Sequence, residues 1–174
     1  TSTDDSRIKK YTMIKDIEKW IAEFVSAHNK EIGQVPCPFA KEAMLKERIN
    51  YVSGGKHTIS PLLDSLANSW DDKYEVVVLY MDKKEMTPKE VSDTVKTFND
   101  NAMKNKVDIV ALEDHPDDPE ILNGVSMNFG KATLILVQRL TKLNTASKIL
   151  KKKGYYDNWP EENYNDVVKW RFKN

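Results

Sequence analysis

Cysteine is nearly absent: the chain of 174 residues holds one, Cys37. A lone cysteine excludes an intrachain disulfide and fits a reducing compartment. Net charge is absent too, with 27 Lys and Arg balancing 27 Asp and Glu, so no overall field draws in nucleic acid or an anionic membrane. Arginine is scarce. Arg7, Arg48, Arg139 and Arg171 are the only ones, which further disfavours a nucleic-acid surface, because Arg is the usual bidentate reader of phosphates and bases. No apolar run approaches the roughly 20 residues that span a bilayer. Residues 1–10 are polar and lack the apolar middle of a signal peptide. Internal repeats and low-complexity tracts are lacking as well. These absences lead to the expectation of a soluble, cytoplasmic protein with neither nucleic acid nor membrane as partner.

What is present is globular. Hydrophobic residues make up 40% and charged residues 31% of the chain, and the length suits one domain over residues 1–174 with a core of its own. Ile14, Ile17, Ile21, Phe24, Val25 and His28 recur at helical spacing, which predicts one helix over residues 6–29. Gly33 and Pro36 break it, and Pro38 starts a short helix over residues 38–47. Residues 49–53 read as a short strand closed by Gly54-Gly55. Ser60-Pro61 opens a helix whose buried face is Leu62, Leu63, Leu66, Ala67 and Trp70. Val76-Val77-Val78-Leu79, within a strand over residues 74–81, is typical of burial on both faces. Thr87-Pro88-Lys89-Glu90 has capping-box spacing ahead of a helix carrying Val91, Val95, Phe98 and Ala102.

Strands follow over residues 107–112 and 132–137. The second flows into a helix that ends at Lys151-Lys152-Lys153-Gly154, with cations at its negative end and glycine at its stop. A last short helix follows Pro160, so residues 154–174 form an aromatic, helical extension of the domain. Alternation of strand and helix predicts an α/β fold, with α+β as the alternative: a single mixed, partly parallel, four-stranded sheet with helices packed on it. The closing strand pairs antiparallel in this reading, since only the 116–131 loop separates it from its predecessor. That loop is longer than most connections, a length that often accompanies function or mobility.

Two segments concentrate chemistry. Cys37-Pro38-Phe39-Ala40 places the thiol at a helix start, where backbone N–H groups and the helix dipole would stabilise a thiolate. The alternative is a small buried hydrophobe. Glu113-Asp114-His115-Pro116-Asp117-Asp118 follows a strand, and open α/β sheets gather ligands beyond the carboxyl ends of strands. Asp82 follows the preceding strand and falls on the same edge if the two run parallel. A histidine among carboxylates serves as acid or base, or holds a divalent metal together with Cys37, although this spacing matches no standard zinc or calcium motif. The competing reading is a solvated turn.

The remaining candidates are weaker. Arg139 ends the last strand and either meets a carboxylate ligand or forms a surface ion pair. His28 lies on an apolar stripe and reads as packed. His57, in Gly54-Gly55-Lys56-His57-Thr58, sits where backbone N–H groups could hold an anion, but without P-loop spacing. Tyr155-Tyr156-Asp157-Asn158-Trp159 either anchors the carboxyl-terminal helix or meets a partner.

Cys37-Pro38-Phe39-Ala40, Ile49-Asn50-Tyr51-Val52-Ser53, His115-Pro116 and the stretch 134–146 together resemble an uncharacterised bacterial family of unknown function. That family carries a Cys-Pro-Phe-Ala signature and a later His-Pro. The similarity covers roughly residues 10–150, with Val35-Pro36 where the family tends to have Asn-Leu. It implies that Cys37 and His115 belong to one site and supplies no activity. Cys-Pro at a helix start is also similar to thioredoxin-like proteins, but Ala40 stands where their second cysteine would be, which argues against disulfide exchange.

The leading expectation is a small enzyme or ligand binder for a small polar molecule. Cys37 is its nucleophile or soft metal ligand and His115 its base or second ligand. Asp114 or Asp117 orients the imidazole, and Asp82, Asp117 and Arg139 contribute to binding. The alternative is a non-catalytic accessory protein that binds a protein partner through its aromatic carboxyl-terminal segment.

Overall fold

The structure is a computed structural model that describes residues 2–172, without the side chains of Ser2 and Thr3. Thr1, at the head of the polar amino-terminal stretch, and the last two residues of the carboxyl-terminal extension lie outside the described residues. Along the chain run α1 (Ser2–Trp20), α2 (Ala40–Leu45), β1 (Ile49–Ser53), α3 (Ile59–Asn68), β2 (Val76–Met81), α4 (Pro88–Lys104) and β3 (Val110–Asp114). Then come β4 (Ile121–Leu122), β5 (Val125–Ser126), β6 (Thr133–Gln138), α5 (Leu140–Lys152) and α6 (Glu161–Val167).

The fold is α/β. One mixed sheet of four strands has the order β1-β2-β6-β3. β1 pairs parallel with β2, and β6 pairs antiparallel with both β2 and β3. β1, β2 and β3 therefore run the same way and share a carboxyl edge, with β6 slotted between β2 and β3. Asp82 and Asp114 lie toward that edge on strands separated by β6, with Asp114 level with Tyr80, two residues short of Asp82.

β2 is buried on both faces because each face meets a helical layer. Val77, Leu79 and Met81 pack with Ile59 and Leu63 of α3 and Val91, Val95 and Phe98 of α4. Val78 and Tyr80 pack on the other side, with Ile17 of α1, Ile21, Phe129 and Leu134. This is the pattern a continuous apolar strand run requires.

Helix α4 starts with its predicted capping box: Glu90 N donates to Thr87 Oγ1 (3.1 Å) and Thr87 N to Glu90 Oε1 (3.0 Å). Asn99, 5% exposed, does something the apolar stripe did not announce. Its Nδ2 donates to Ala111 O and its Oδ1 accepts from Ala111 N, both at 2.9 Å. A side chain thus takes the place of a neighbouring strand at the outer edge of β3.

Several boundaries differ from the sequence reading. The first helix ends at Trp20 and continues as a π-helical turn over Ile21–Val25, after which Asn29 bridges back to Gln34. The second begins at Ala40, two residues past Pro38. α3 begins at Ile59, and Thr58 rather than Ser60 ties its entry, accepting from Gly55 N at 2.9 Å. β3 is shifted toward its carboxyl end, because Asp108 leaves the strand to receive Thr141 N (2.7 Å) and Thr141 Oγ1 (2.6 Å) at the start of α5. Glu113 and Asp114 consequently lie inside the strand. The 116–131 loop contains a hairpin, β4 on β5, turned by Asn123 (φ 51°) and Gly124 (φ 82°), the left-handed pair that a tight hairpin demands. Among the described residues no helix is long and apolar enough to cross a membrane.

Candidate functional site

Cys37 is held by a backbone bond from its N–H to Val25 O (2.9 Å), just after the π turn that follows α1. The N–H groups of Phe39 and Ala40 reach the sulfur as a helix start would suggest and pull its pKa down, but burial outweighs them and pushes the thiol up from its ordinary value. Tyr155 and Tyr156 close around it. Tyr155 Oη lies 2.6 Å from the carbonyl oxygens of both Val35 and Pro36. The Gln34 amide, turned with its oxygen to Trp159 Nε1 (2.6 Å) and its nitrogen to Tyr155 O (2.8 Å), ties the same aromatic segment down beside the half-buried Cys37. The thiolate expected from position alone is therefore disfavoured. Alkylation of Cys37 by iodoacetamide at neutral pH should run at least about tenfold slower than that of a free small thiol and recover in urea, since the thiolate is the nucleophile. Reaction at the free-thiol rate in the native protein would contradict this account.

The carboxyl edge is a buried polar knot. His115 is 3% exposed. Asp117 N donates to its Nδ1 (3.0 Å), which leaves the proton on Nε2 to be donated to Met86 O (2.8 Å). Both ring nitrogens are thus engaged by backbone. The His115 carbonyl accepts from Asn128 Nδ2 (3.0 Å) and Asp118 N (3.1 Å). Asp114 faces the opposite side of the sheet, where its Oδ2 accepts from Phe129 N (3.2 Å). Its Oδ1 is buried with no partner among the described residues. Burial raises its pKa to about 7, with the Phe129 N–H, the Asn128 side chain and His115 offsetting only part of the shift. Burial also raises Glu113 and Glu120. The imidazole is oriented by the backbone of Asp117, and neither the Asp114 nor the Asp117 carboxylate touches it. These bonds hold the 116–131 loop, which Asn163 also ties to α6 through Glu120 Oε1 (2.7 Å) and Ile121 O (2.8 Å).

The remaining candidates scatter. The Asp117 carboxylate sits 3.5 Å from Lys83 Nζ. Asp82 closes its own turn by accepting from Lys84 N (2.8 Å). Arg139 ends β6, which runs opposite to β3, so it lies on the far edge of the sheet, bidentate to Asp72 at 2.9 and 3.0 Å. Cys37 and His115 are not joined by any described contact: the imidazole turns to Met86 on the α4 side, and the thiol sits beyond the end of α1. Among the described residues no group of three His, Cys, Asp or Glu side chains is arranged to hold a metal ion.

Sequence reasoning missed a cleft of about 450 Å³ between α5 and the carboxyl-terminal segment. Lys148, Lys151 and Lys169 line it, along with Tyr164, Phe172 and the lone acid Glu161. Lys148 Nζ stands 5.7 Å from the Phe172 ring centroid and Lys151 Nζ 5.5 Å from that of Tyr164. Beneath this wall lies Arg171, 3% exposed. It donates only to neutral acceptors: Val167 O (3.1 Å), Asn144 Oδ1 (3.0 Å) and Ser147 Oγ (2.9 Å). Burial pulls its pKa down from the ordinary value, and no carboxylate among the described residues compensates the charge. The available signal was an arginine set between Trp170 and Phe172 in a chain that otherwise prefers lysine.

No protein-family model, no curated protein and no solved structure matches the chain.

Proposed function

We propose that the protein is a non-catalytic binding protein whose recognition surface is its carboxyl-terminal layer, formed by α5, α6 and the turn Lys169–Phe172. The observation that carries this reading is the cationic cleft on that layer, where Lys148, Lys151 and Lys169 face one acid, Glu161, among the described lining residues. The aromatic cluster behind it (Tyr155, Tyr156, Trp159, Tyr164, with ring centroids 5.0 to 5.9 Å apart) fastens the layer to the body. Rigid support of that kind favours a preformed binding face. The enzyme reading draws on the same residues less well: Cys37 is a disfavoured thiolate under two tyrosines, and His115 has no free ring nitrogen with which to take a proton.

The test is affinity purification of three forms: the unaltered chain, Cys37→Ser, and the pair Lys151→Glu with Lys169→Glu. The expected result is a stoichiometric protein partner with the first two and loss of it with the charge reversals. Loss with Cys37→Ser, equal recovery with the charge reversals, or no stoichiometric partner at all would each overturn the reading.

A further inference from the structure

We infer that the cleft takes an acidic peptide segment with an apolar anchor: one large apolar side chain set between Tyr164 and Phe172, with flanking carboxylates on the lysines. The inference rests on the carboxyl-terminal layer being the recognition surface and adds the chemistry of what it recognises. Four observations converge on it. Lys148, Lys151 and Lys169 are exposed and line one cleft, form no ion pair among the described residues, and two of them stand over the Phe172 and Tyr164 rings (5.7 and 5.5 Å to the centroids). The chain as a whole carries a formal net charge of +0, so three lysines and Arg171 against Glu161 make a local excess that the rest of the molecule does not share. Arg171 adds a buried charge with no counter-ion among the described residues, and a carboxylate arriving at the cleft would relieve it through a low-dielectric wall. Finally, Phe172 is 37% exposed and Tyr164 partly so, and both are flanked by the lysine stems, which gives a floor for an apolar side chain rather than for a bare ion.

The geometry fits a known recognition logic, in which apolar anchors supply affinity and charges around the rim supply selectivity and on-rate. A carboxylate-rich, lysine-poor partner segment is what that rim selects. A nucleic acid would need a longer cationic track and more arginine than this chain has.

The experiment uses the full chain and a short fluorescein-labelled synthetic peptide with a central phenylalanine between Asp and Glu residues, followed by anisotropy. Saturable binding is expected, weakening with added salt and falling about tenfold or more, the loss of one good charge contact, in Lys151→Glu or Lys169→Glu. The same peptide with Asn and Gln for its acids, or Ala for its phenylalanine, should bind at least about tenfold more weakly. Because the lysines are exposed, their reversal leaves the protein folded, although Lys151→Glu gives up a favourable charge in the last turn of α5 and a contact with Tyr164. A cooperative urea transition in each variant verifies that both remain folded under assay conditions. Amide and acid peptides binding alike, inorganic phosphate displacing the peptide at low millimolar concentration, or no saturable binding would overturn the inference. If the purification above yields a partner that needs the lysines while this peptide fails, only the peptide chemistry falls. If recovery ignores the lysines, the surface itself falls.

Discussion

Asn99→Ala should lower the unfolding free energy by about 2–4 kcal/mol, because each buried polar group left without a partner costs about 1–3 kcal/mol and this substitution strands two. The two are the N–H and C=O of Ala111, which Asn99 satisfies at 2.9 Å each on the open side of the edge strand β3. Ala111 is fully buried, so water cannot replace the lost amide without opening the α4–β3 seam. Asn101→Ala, on the exposed face of the same helix, is the control and should shift stability by no more than about 0.5 kcal/mol. Urea denaturation measures both. Amide hydrogen exchange at Ala111 separates this mechanism from simple loss of packing: protection of that one N–H should collapse in Asn99→Ala and persist in Asn101→Ala. A loss below about 1 kcal/mol, with Ala111 still protected, would sink the account.

Asn99 also marks where the sequence was legible and where it was not. The strand run Val76-Val77-Val78-Leu79, the Thr87–Glu90 capping box and the Gly154 stop (φ +80°) were readable because each depends on residues within one turn or one strand of itself. The antiparallel closing strand was readable from loop length. Its position between β2 and β3 was not, because strand order depends on long-range pairing that local pattern does not encode. Asn99 stood on the stripe Val91, Val95, Phe98, Ala102, and a polar residue in an apolar register was a signal passed over. Asn123-Gly124 was another, a hairpin turn inside what read as loop.

The site was harder. Cys37 does receive the helix-start N–H groups its neighbours promised, but burial overrides them, and Tyr155 and Tyr156, more than a hundred positions away in the chain, lie close enough to interact with it electrostatically. For His115 the sequence showed acidic neighbours, while its actual partners are backbone atoms of Met86 and Asp117. A side chain's type says what it could do; its partners decide, and most of those are non-local.

Asp114→Asn should remove the largest part of a loss of stability that the unaltered protein shows as pH rises from about 4 to about 7. The ordinary value of this carboxyl is 3.8 and burial in the fold raises it to about 7. Between those values the unfolded chain has released its proton and the folded chain has kept it, so the folded state binds more protons and rising pH favours unfolding. Below the window both states are protonated, above it both are ionised, and the slope vanishes at each end. One pKa unit corresponds to about 1.36 kcal/mol, so the rise from 3.8 to about 7 sets a ceiling of roughly 4 to 5 kcal/mol on the cumulative loss. Glu113 and Glu120, also raised, tilt the curve the same way, whereas Glu42 and Asp72 are lowered by Lys46 and Arg139, and Glu90 by the Thr87 N–H, and these act with opposite sign at more acidic pH. The difference between protein and variant isolates Asp114. Asparagine retains an oxygen for the Phe129 N–H (3.2 Å in the parent) and carries no charge to bury. The variant should therefore equal or exceed the parent above pH about 7 and fall behind it in acid. Because Asp114 and His115 both hold the loop that Asn163 fastens to α6, protection of the Phe129 amide, taken relative to its intrinsic base-catalysed exchange rate, should fall with pH in the parent more than in the variant. Parent and variant curves that run parallel from pH 4 to 8 would show that the buried carboxyl does not govern the pH response.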